Sequence, residues 1–370
     1  MKKLLTIVMV VVLSVALGLP AMAQTVTTGV NVTGGTTTPP VVKAKWEQDL
    51  TASLEDGDPA HLTSGSQFLP PGVFGGQKPV QYWVVVTDDE GVSTINQVVV
   101  DVYHPSGPPE NGSFKYQIIL TLVDKVAVGI PAYDAAVAAG LVHYNTGFTD
   151  AEVDDELDKS TAQVYMGSAD IDYCQPGGDY RVVADAYDGG LWGSEAVPPT
   201  NLENTFLYVP VPGIEIDFNA LQYGDVVVSA EKWIAGDTVW DTPIGAAPSP
   251  NRATVRNVGN TDVKITVNET DMAFGFSGAP PATAYSGSTP PTNVNTTPAS
   301  YQSSWNVVFD ARLGSLAANA MYFDPNVTAT LPNELPLCNK DELDFSIHVY
   351  KSTAGTHSGS MTIGFVLSPF

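Results

Sequence analysis

The feature that most constrains the fold is an alternation of apolar and polar residues with a period of two, repeated in many short segments. One segment runs from 80 to 87, another from 180 to 187, and a third from 253 to 267. Successive side chains of a strand point to opposite faces, so this spacing predicts strands with one buried face. The surrounding sequence is rich in Thr, Val, Gly and Pro, which favour strands and turns over helices. We therefore predict an all-β fold built from β-sandwiches.

Two pairs of alternating segments enclose turn sequences and predict hairpins. Residues 80–87 run into Asp88-Asp89-Glu90-Gly91 and the chain returns as residues 93–102. In the second half, an Asn-Val-Gly-Asn-Thr-Asp turn at 257–262 separates the two halves of the segment 253–267. Alternating runs joined by such turns are typical of paired antiparallel strands. Further strands are predicted at 115–123 and 205–210.

A helical insertion interrupts the strands at about residues 131–160. Pro131 suits the first turn of a helix, and residues 132–141 are strong helix formers. Thr149 and Glu152 have the spacing of a capping box that opens a second short helix through Lys159. The acids of this helix lack the spacing and the glycine of a calcium loop, so we interpret them as a solvated face.

The first 23 residues predict export of the protein. Lys2 and Lys3 precede an apolar run from 4 to 17, and Ala21-Met22-Ala23 has the pattern of a cleavage site before Gln24. Such a segment is a secretory signal peptide, and its apolar run is too short for a membrane span. We expect a secreted, extracellular or cell-surface protein without membrane insertion.

Residues 24–42 predict an N-terminal β-arm, which Gly34-Gly35 and Pro39-Pro40 separate from the rest of the chain. One face of this arm would carry a row of small apolar or β-branched side chains, namely Val26, Thr28, Val30 and Val32. One interpretation is a disordered tail, as at most termini. The alternative is a donor strand that pairs with the sheet edge of a neighbouring subunit. Behind the arm we predict two domains, residues 43–212 and 213–370, the second with an exposed Pro/Ser/Thr/Gly-rich loop at 278–300.

The chain is strongly acidic, with 40 Asp and Glu against 16 Lys and Arg. This charge argues against nucleic acid and anionic lipid as partners, and it would attract divalent cations. Asp185 and Asp188, beside Gly189-Gly190, are candidate Ca²⁺ ligands, although a simple turn explains them as well. No other cofactor is indicated.

Two cysteines and five glycosylation sequons are candidate sites of modification. Cys174 and Cys338 would form one disulfide that ties the halves of the chain, an intermolecular bridge, or two free thiols. The sequons are Asn31, Asn111, Asn268, Asn295 and Asn326, and about three would arise by chance in so Thr- and Asn-rich a chain.

Two segments carry a resemblance to known secreted proteins. Residues 178–190 resemble the strand and turn of immunoglobulin-like and polycystic-kidney-disease-type modules. Residues 253–267, followed by a long excursion and the final strand at 355–363, resemble the jelly-roll or immunoglobulin-like sandwich of camelysin-type biofilm-matrix fibre subunits and related archaeal and bacterial surface proteins. These resemblances imply an immunoglobulin-like first domain and a jelly-roll or immunoglobulin-like second domain. In that group an N-terminal strand enters the next subunit's sandwich; here the arm precedes an extra domain, so it would enter differently. Extracellular sheath proteins of filamentous methanogens are similar in overall composition.

No catalytic signature is present in the sequence. The five histidines lie in unrelated segments, and no paired-His or GxSxG motif occurs. His348 alternates with Asp344 and Ser346 on a predicted strand at 343–349, which predicts a surface position for it. We therefore predict that the chain is not an enzyme but a self-assembling subunit of an extracellular filament, sheath or surface layer. The alternatives are a carbohydrate-binding or adhesive module that uses an exposed Trp192 on cell-surface glycans, and a secreted hydrolase.

Overall fold

The fold was obtained as a computed structural model, which describes residues 38–49, 67–248, 251–279, 303–316 and 320–368. Strands make up nearly all of the regular structure in these ranges, so the predicted all-β class is confirmed. The predicted signal peptide and the arm up to residue 37 lie outside the described residues, as does most of the predicted loop 278–300. No helix among the described residues is long and apolar enough to cross a membrane.

Strands β1 to β10 form two five-stranded sheets. The first has the order β6-β8-β3-β1-β7 and the second β2-β10-β9-β4-β5, and all pairs are antiparallel except β2 with β10. The bounds are β1 Val41–Asp49, β2 Gln67–Phe68, β3 Gln77–Thr87, β4 Gln97–Tyr103, β5 Phe114–Ile119, β6 Thr121–Leu122, β7 His143–Tyr144, β8 Ala162–Asp172, β9 Gly178–Tyr187 and β10 Leu202–Tyr208. The inward side chains of the two sheets share one core, which makes this part a β-sandwich.

The predicted helical insertion covers the outer face of the first sheet. A π-helical turn at Lys125–Gly129 leads into α1 (Ile130–Ala139), and α2 spans Asp150–Asp158. Pro131 lies in the first turn of α1, and the Thr149–Glu152 capping box opens α2, as the sequence predicted. Tyr133 and Leu157 pack with Trp46 and Trp83 in a second core. Because the first sheet is thus buried on both faces, β3 has the continuous apolar run Tyr82–Val86 in place of the alternation with one buried face predicted for residues 80–87.

Strands β11 to β21 form a second sandwich. A six-stranded sheet has the order β11-β15-β20-β17-β18 with β13 also on β20, a small parallel pair joins β12 and β14, and a three-stranded sheet has the order β19-β16-β21. The bounds are β11 Ile214–Ile216, β12 Phe218–Leu221, β13 Glu231–Ile234, β14 Gly245–Ala247, β15 Thr254–Asn257, β16 Val263–Glu269, β17 Val307–Leu313, β18 Met321–Phe323, β19 Ala329–Leu335, β20 Lys340–Val349 and β21 Met361–Leu367. One apolar core joins these sheets.

Both predicted hairpins are wrong in their pairing. Strands β3 and β4 flank the acidic turn as expected, but β3 pairs with β1 and β8 while β4 pairs with β5 and β9. Likewise β15 pairs with β11 and β20, whereas β16 pairs with β19 and β21. Each turn carries the chain from one sheet of a sandwich to the other. Alternation identifies a strand and its buried face, and it contains no information on which sheet the strand joins.

The predicted surface position of His348 is also wrong. This residue lies on β20 opposite Glu231 of β13 and Val308 of β17, and only 3% of it is exposed. Burial lowers the pKa of its imidazole to about 4. Asp344 and Ser346, on the same face of β20, are buried as well, so this polar face is internal, which local alternation does not reveal.

Asn260 fixes the segment that joins the two sets of strands. Its side chain accepts a hydrogen bond from the Val211 N–H at 2.6 Å and donates to the Val209 carbonyl at 2.9 Å. Its backbone N–H donates to the Val211 carbonyl, also at 2.9 Å. A Cβ on the neighbouring Gly259 would overlap the Val211 carbonyl oxygen, so this close approach requires glycine. The predicted domain boundary at residue 212 stays a prediction.

Candidate functional site: an open strand edge

The outer edge of β21 is the most unusual surface of the described structure. β21 pairs with β16 along its whole length, and no other described strand pairs with it. Its sequence, Met-Thr-Ile-Gly-Phe-Val-Leu, contains neither charge nor proline. Proteins usually protect such edges with lysine, proline or a short strand, because free N–H and C=O groups are a template for another strand.

The side chains of β21 show that the core beneath this edge is only partly covered. Phe365 lies opposite Ile265 and Leu367 opposite Val263, and directly opposed residues project to the same face of a sheet. Ile265 and Val263 are fully buried, yet 37% of Phe365 and 56% of Leu367 is exposed. Met361 and Ile363 of the same row pack against the core, so it is the C-terminal half of the row that borders solvent on its outer side, where one more strand would cover it.

A comparison with the edge strand β5 of the first sandwich makes the difference clear. On β5 the core-facing Tyr116 is largely buried, and its hydroxyl is hydrogen-bonded to that of Tyr82 at 2.9 Å. β5 also carries Lys115, a charged residue of the kind that protects edges. The other edges of the first sandwich, β2, β6 and β7, are two residues long. Among the described edges of the sheets, β21 alone combines length, apolar character and exposed core-facing side chains.

The predicted arm residues Val26, Thr28, Val30 and Val32 lie outside the described residues. The Thr38 N–H donates to Glu90 Oε1 at 2.8 Å, and the Pro40 carbonyl accepts a 2.8 Å hydrogen bond from the Thr200 hydroxyl. These contacts fix the chain just before β1.

The structure distributes the candidate Ca²⁺ ligands differently from the sequence prediction. Asp188 has its carboxylate near those of Asp88 and Glu90, with one oxygen of each within 4.8 Å of the others. Asp185 is absent from this group: it is buried, and its Oδ1 accepts the N–H of Ser194 at 3.1 Å. Burial raises the pKa of Asp185, against the effect of these hydrogen bonds. The turn interpretation explains Asp185, and Ca²⁺ binding through Asp185 and Asp188 stays a prediction.

The two cysteines are joined in the structure. Cys174 follows β8, Cys338 precedes β20, and their Cα atoms lie 4.8 Å apart in a disulfide. Of the three alternatives that the sequence left open, this is the intramolecular bridge between the halves. It lies close to Asn260, whose carbonyl accepts the Gly177 N–H, so both contacts connect the same faces of the two sandwiches.

The described sequons and Trp192 occupy different environments. Asn111 and Asn326 are exposed on turns with positive φ, whereas Asn268 is half-buried and donates to the Thr328 hydroxyl at 3.1 Å. Asn31 and Asn295 lie outside the described residues. Trp192, the candidate sugar-stacking residue, is half-buried with its ring stacked on Tyr187 at a centroid distance of 5.0 Å.

The sequence matches no family model and no curated protein. Among solved structures, it is similar to the C-terminal domain of the Streptococcus pyogenes antigen I/II-family protein AspA, at 10% identity and a TM-score of 0.20 over 88% of this chain and 96% of that one. It is also similar to a chaperone–tip adhesin complex of CFA/I fimbriae, at 7% identity and a TM-score of 0.23 over 89% of this chain and 85% of that one. A third similar structure is the CsuC–CsuE chaperone–tip subunit complex of Acinetobacter baumannii, at 11% identity and a TM-score of 0.22 over 81% of this chain and 97% of that one. TM-scores of this size do not establish a common fold.

Sequence analysis identified β21 as a strand but missed its role as an open edge. The signal for an edge was indirect: seven residues without charge or proline at the end of the chain. Such a run is equally typical of a central strand, and only the pairing of β21 distinguishes the two.

Proposed function

We propose that the protein is a structural subunit of an extracellular filament, sheath or surface layer, and that the arm of one molecule adds to β21 of the next. The observation that carries this proposal is the partial exposure of the core-facing Phe365 and Leu367 on an unpaired, uncharged edge. An added strand would pair with the free backbone groups of β21 and cover both side chains.

The arm has the chemistry that this edge requires. Its alternating row of Val26, Thr28, Val30 and Val32 would lie along the core side of β21, extending the apolar face of the three-stranded sheet. Residues 25–33 span nine positions, enough to match the seven of β21. Neither strand carries a charge that would have to be buried.

The geometry of attachment favours a polymer over a closed dimer. The arm leaves from the first sandwich at Thr38, whereas β21 belongs to the second, so donor and acceptor are different surfaces of the molecule. Contacts between different surfaces are head-to-tail, and they give filaments or tubes unless the rotation happens to close a ring. The disulfide and the Asn260 contacts would transmit tension between the two sandwiches within each subunit.

The test is negative-stain electron microscopy and sedimentation of the chain beginning at Gln24. A variant beginning at Thr38 removes the arm but keeps the contacts of Thr38 and Pro40 that hold β1. Phe365→Lys places a charge in the acceptor row, and Ile119→Lys is the matched control on the edge strand β5, where 63% of Ile119 is exposed.

We expect polymers from the parent chain and from Ile119→Lys, and monomers from the Thr38 variant and from Phe365→Lys. Polymers from the Thr38 variant would contradict donation by the arm, and polymers from Phe365→Lys alone would place the acceptor elsewhere. Monomers from every chain at all concentrations would refute the structural role itself.

A further inference from the structure

Three polar side chains face one another inside the first sandwich, between two sheets whose other inward side chains form an apolar core. Lys45 and Glu47 project inward from β1, and Asn204 projects towards them from β10 in the opposite sheet. Only 1% of the Lys45 side chain and none of the Glu47 side chain is exposed. A buried amine and carboxylate are costly to desolvate, so their presence requires an explanation beyond packing.

Each of the three side chains contacts the other two, and Lys45 Nζ also donates to the Val182 carbonyl at 3.3 Å. Lys45 Nζ donates to Glu47 Oε1 at 2.7 Å and also contacts the Asn204 amide oxygen, Oδ1. The Asn204 amide nitrogen, Nδ2, donates to Glu47 Oε2 at 2.7 Å. The Glu47 carboxylate therefore contacts both the Lys45 amine and the amide nitrogen of Asn204.

The surroundings make the Lys45 ammonium easier to deprotonate than a solvated one. Lys45 lies opposite Val84, and Glu47 lies opposite Tyr82, both of which belong to the core between the sheets. Burial lowers the pKa of Lys45, while the charge of Glu47 opposes this change. A desolvated lysine amine is activated as a nucleophile. Because Lys45 is held beside the side-chain carbonyl of Asn204, a reaction between the two groups is intramolecular and is faster for that reason.

We propose that Lys45 and Asn204 become joined by an intramolecular amide bond, an isopeptide bond, with Glu47 as the acid–base group. The site would modify the protein itself and needs no cofactor or second substrate.

The reaction balances with these three groups alone. Glu47 accepts a proton from the Lys45 ammonium, and the neutral Nζ attacks Cγ of Asn204 to form an Nζ–Cγ bond. Glu47 then gives its proton to Nδ2 and takes one from Nζ. The Cγ–Nδ2 bond breaks, ammonia leaves with the bonding electron pair, and no atom is oxidised or reduced. The buried ion pair is replaced by a neutral amide and a protonated Glu47.

Other lysine contacts lack the bridging carboxylate. Lys43, on the same strand, is paired with the Glu156 carboxylate at 3.1 Å, and no amide is part of that pair. Lys115 contacts the side-chain amide oxygen of Gln175, but its amine is only partly buried, and no described carboxylate has a hydrogen bond to both groups. The combination of amine, amide and shared acid is specific to Lys45 and Asn204 among the described residues.

The test is mass spectrometry of the chain beginning at Gln24, after reduction and denaturation. We expect a mass about 17 Da below that of the sequence, the loss of one ammonia. Because an N-terminal glutamine loses the same mass when it cyclises, the bond is located in a protease digest, where we expect a branched peptide that joins Lys45 to Asn204.

Variants then assign the roles of the three groups. Lys45→Met and Glu47→Gln should abolish the branched peptide, and Lys43→Met, the control on the same strand, should retain it. A branched peptide that persists in Glu47→Gln would contradict the role of Glu47. The proposal would be overturned if the parent chain gave linear peptides with unmodified Lys45 and Asn204, or a branch at Lys115 and Gln175 in place of the expected one. Since these outcomes are measured on the parent chain, they do not depend on how well the variants fold.

Discussion

Glu269 makes the stability of the second sandwich depend on pH, with a sign opposite to that of an ordinary surface carboxylate. It ends β16 beside the open edge, only 2% of it is exposed, and Tyr223 donates a hydrogen bond to it at 2.9 Å. Burial raises the pKa of Glu269 from 4.5 to about 8, and the hydrogen bond from Tyr223 opposes part of this change. Between these two pKa values, the folded protein holds a proton that the unfolded chain has lost.

The free energy of unfolding must therefore fall as pH rises through this window. Stability from this group is complete below pH 4.5 and is lost by about pH 8, with a slope of about 1.4 kcal/mol per pH unit. Over the whole window the loss amounts to about 5 kcal/mol. Glu269→Gln keeps the size and the hydrogen-bonding capacity of the side chain but removes its titration.

The assay is guanidinium denaturation of the parent chain and of Glu269→Gln between pH 4.5 and pH 9. Since Asp310 and the other buried acids titrate in both proteins, the difference between the two curves isolates Glu269. We expect the variant to gain relative stability steadily above pH 5 and to level off above pH 8. Parallel curves across this range would refute the argument, because they would show that Glu269 has the same pKa in the folded and unfolded states.

Three further predictions concern stability. Replacing both Cys174 and Cys338 with serine opens a loop closed over 164 residues and should lower the free energy of unfolding by about 5 kcal/mol; an unchanged guanidinium midpoint would contradict this. Arg312→Met leaves the buried Asp344 carboxylate without its ion pair and should cost about 3–5 kcal/mol, whereas the added change Asp344→Leu should recover most of this loss in the same assay. Trp46→Ala empties a fully buried position stacked on Trp83 and should cost about 3–5 kcal/mol, measured by thermal unfolding; a loss below 1 kcal/mol would show that the site collapses.

The sequence by itself determined the local elements. Alternation located several strands, including β9, β16 and β20, because successive side chains of a strand alternate between its two faces. It did not locate β1, β8, β17 or β19. Pro131 and the Thr149–Glu152 box placed the two helices, since helix starts depend on neighbours three or four positions away.

Only the tertiary structure decided which strands meet. Both turns predicted as hairpins connect opposite sheets, and β21, an ordinary apolar run in the sequence, is an open edge. On β1, Lys45 and Glu47 alternate with Ala44 and Trp46, a pattern typical of a solvated face, yet the helices cover one side of this strand and the second sheet covers the other. The partner of Lys45 in the proposed bond lies 159 residues away on β10. Pairing over such distances depends on the energy of the whole packed core, which no short stretch of sequence contains.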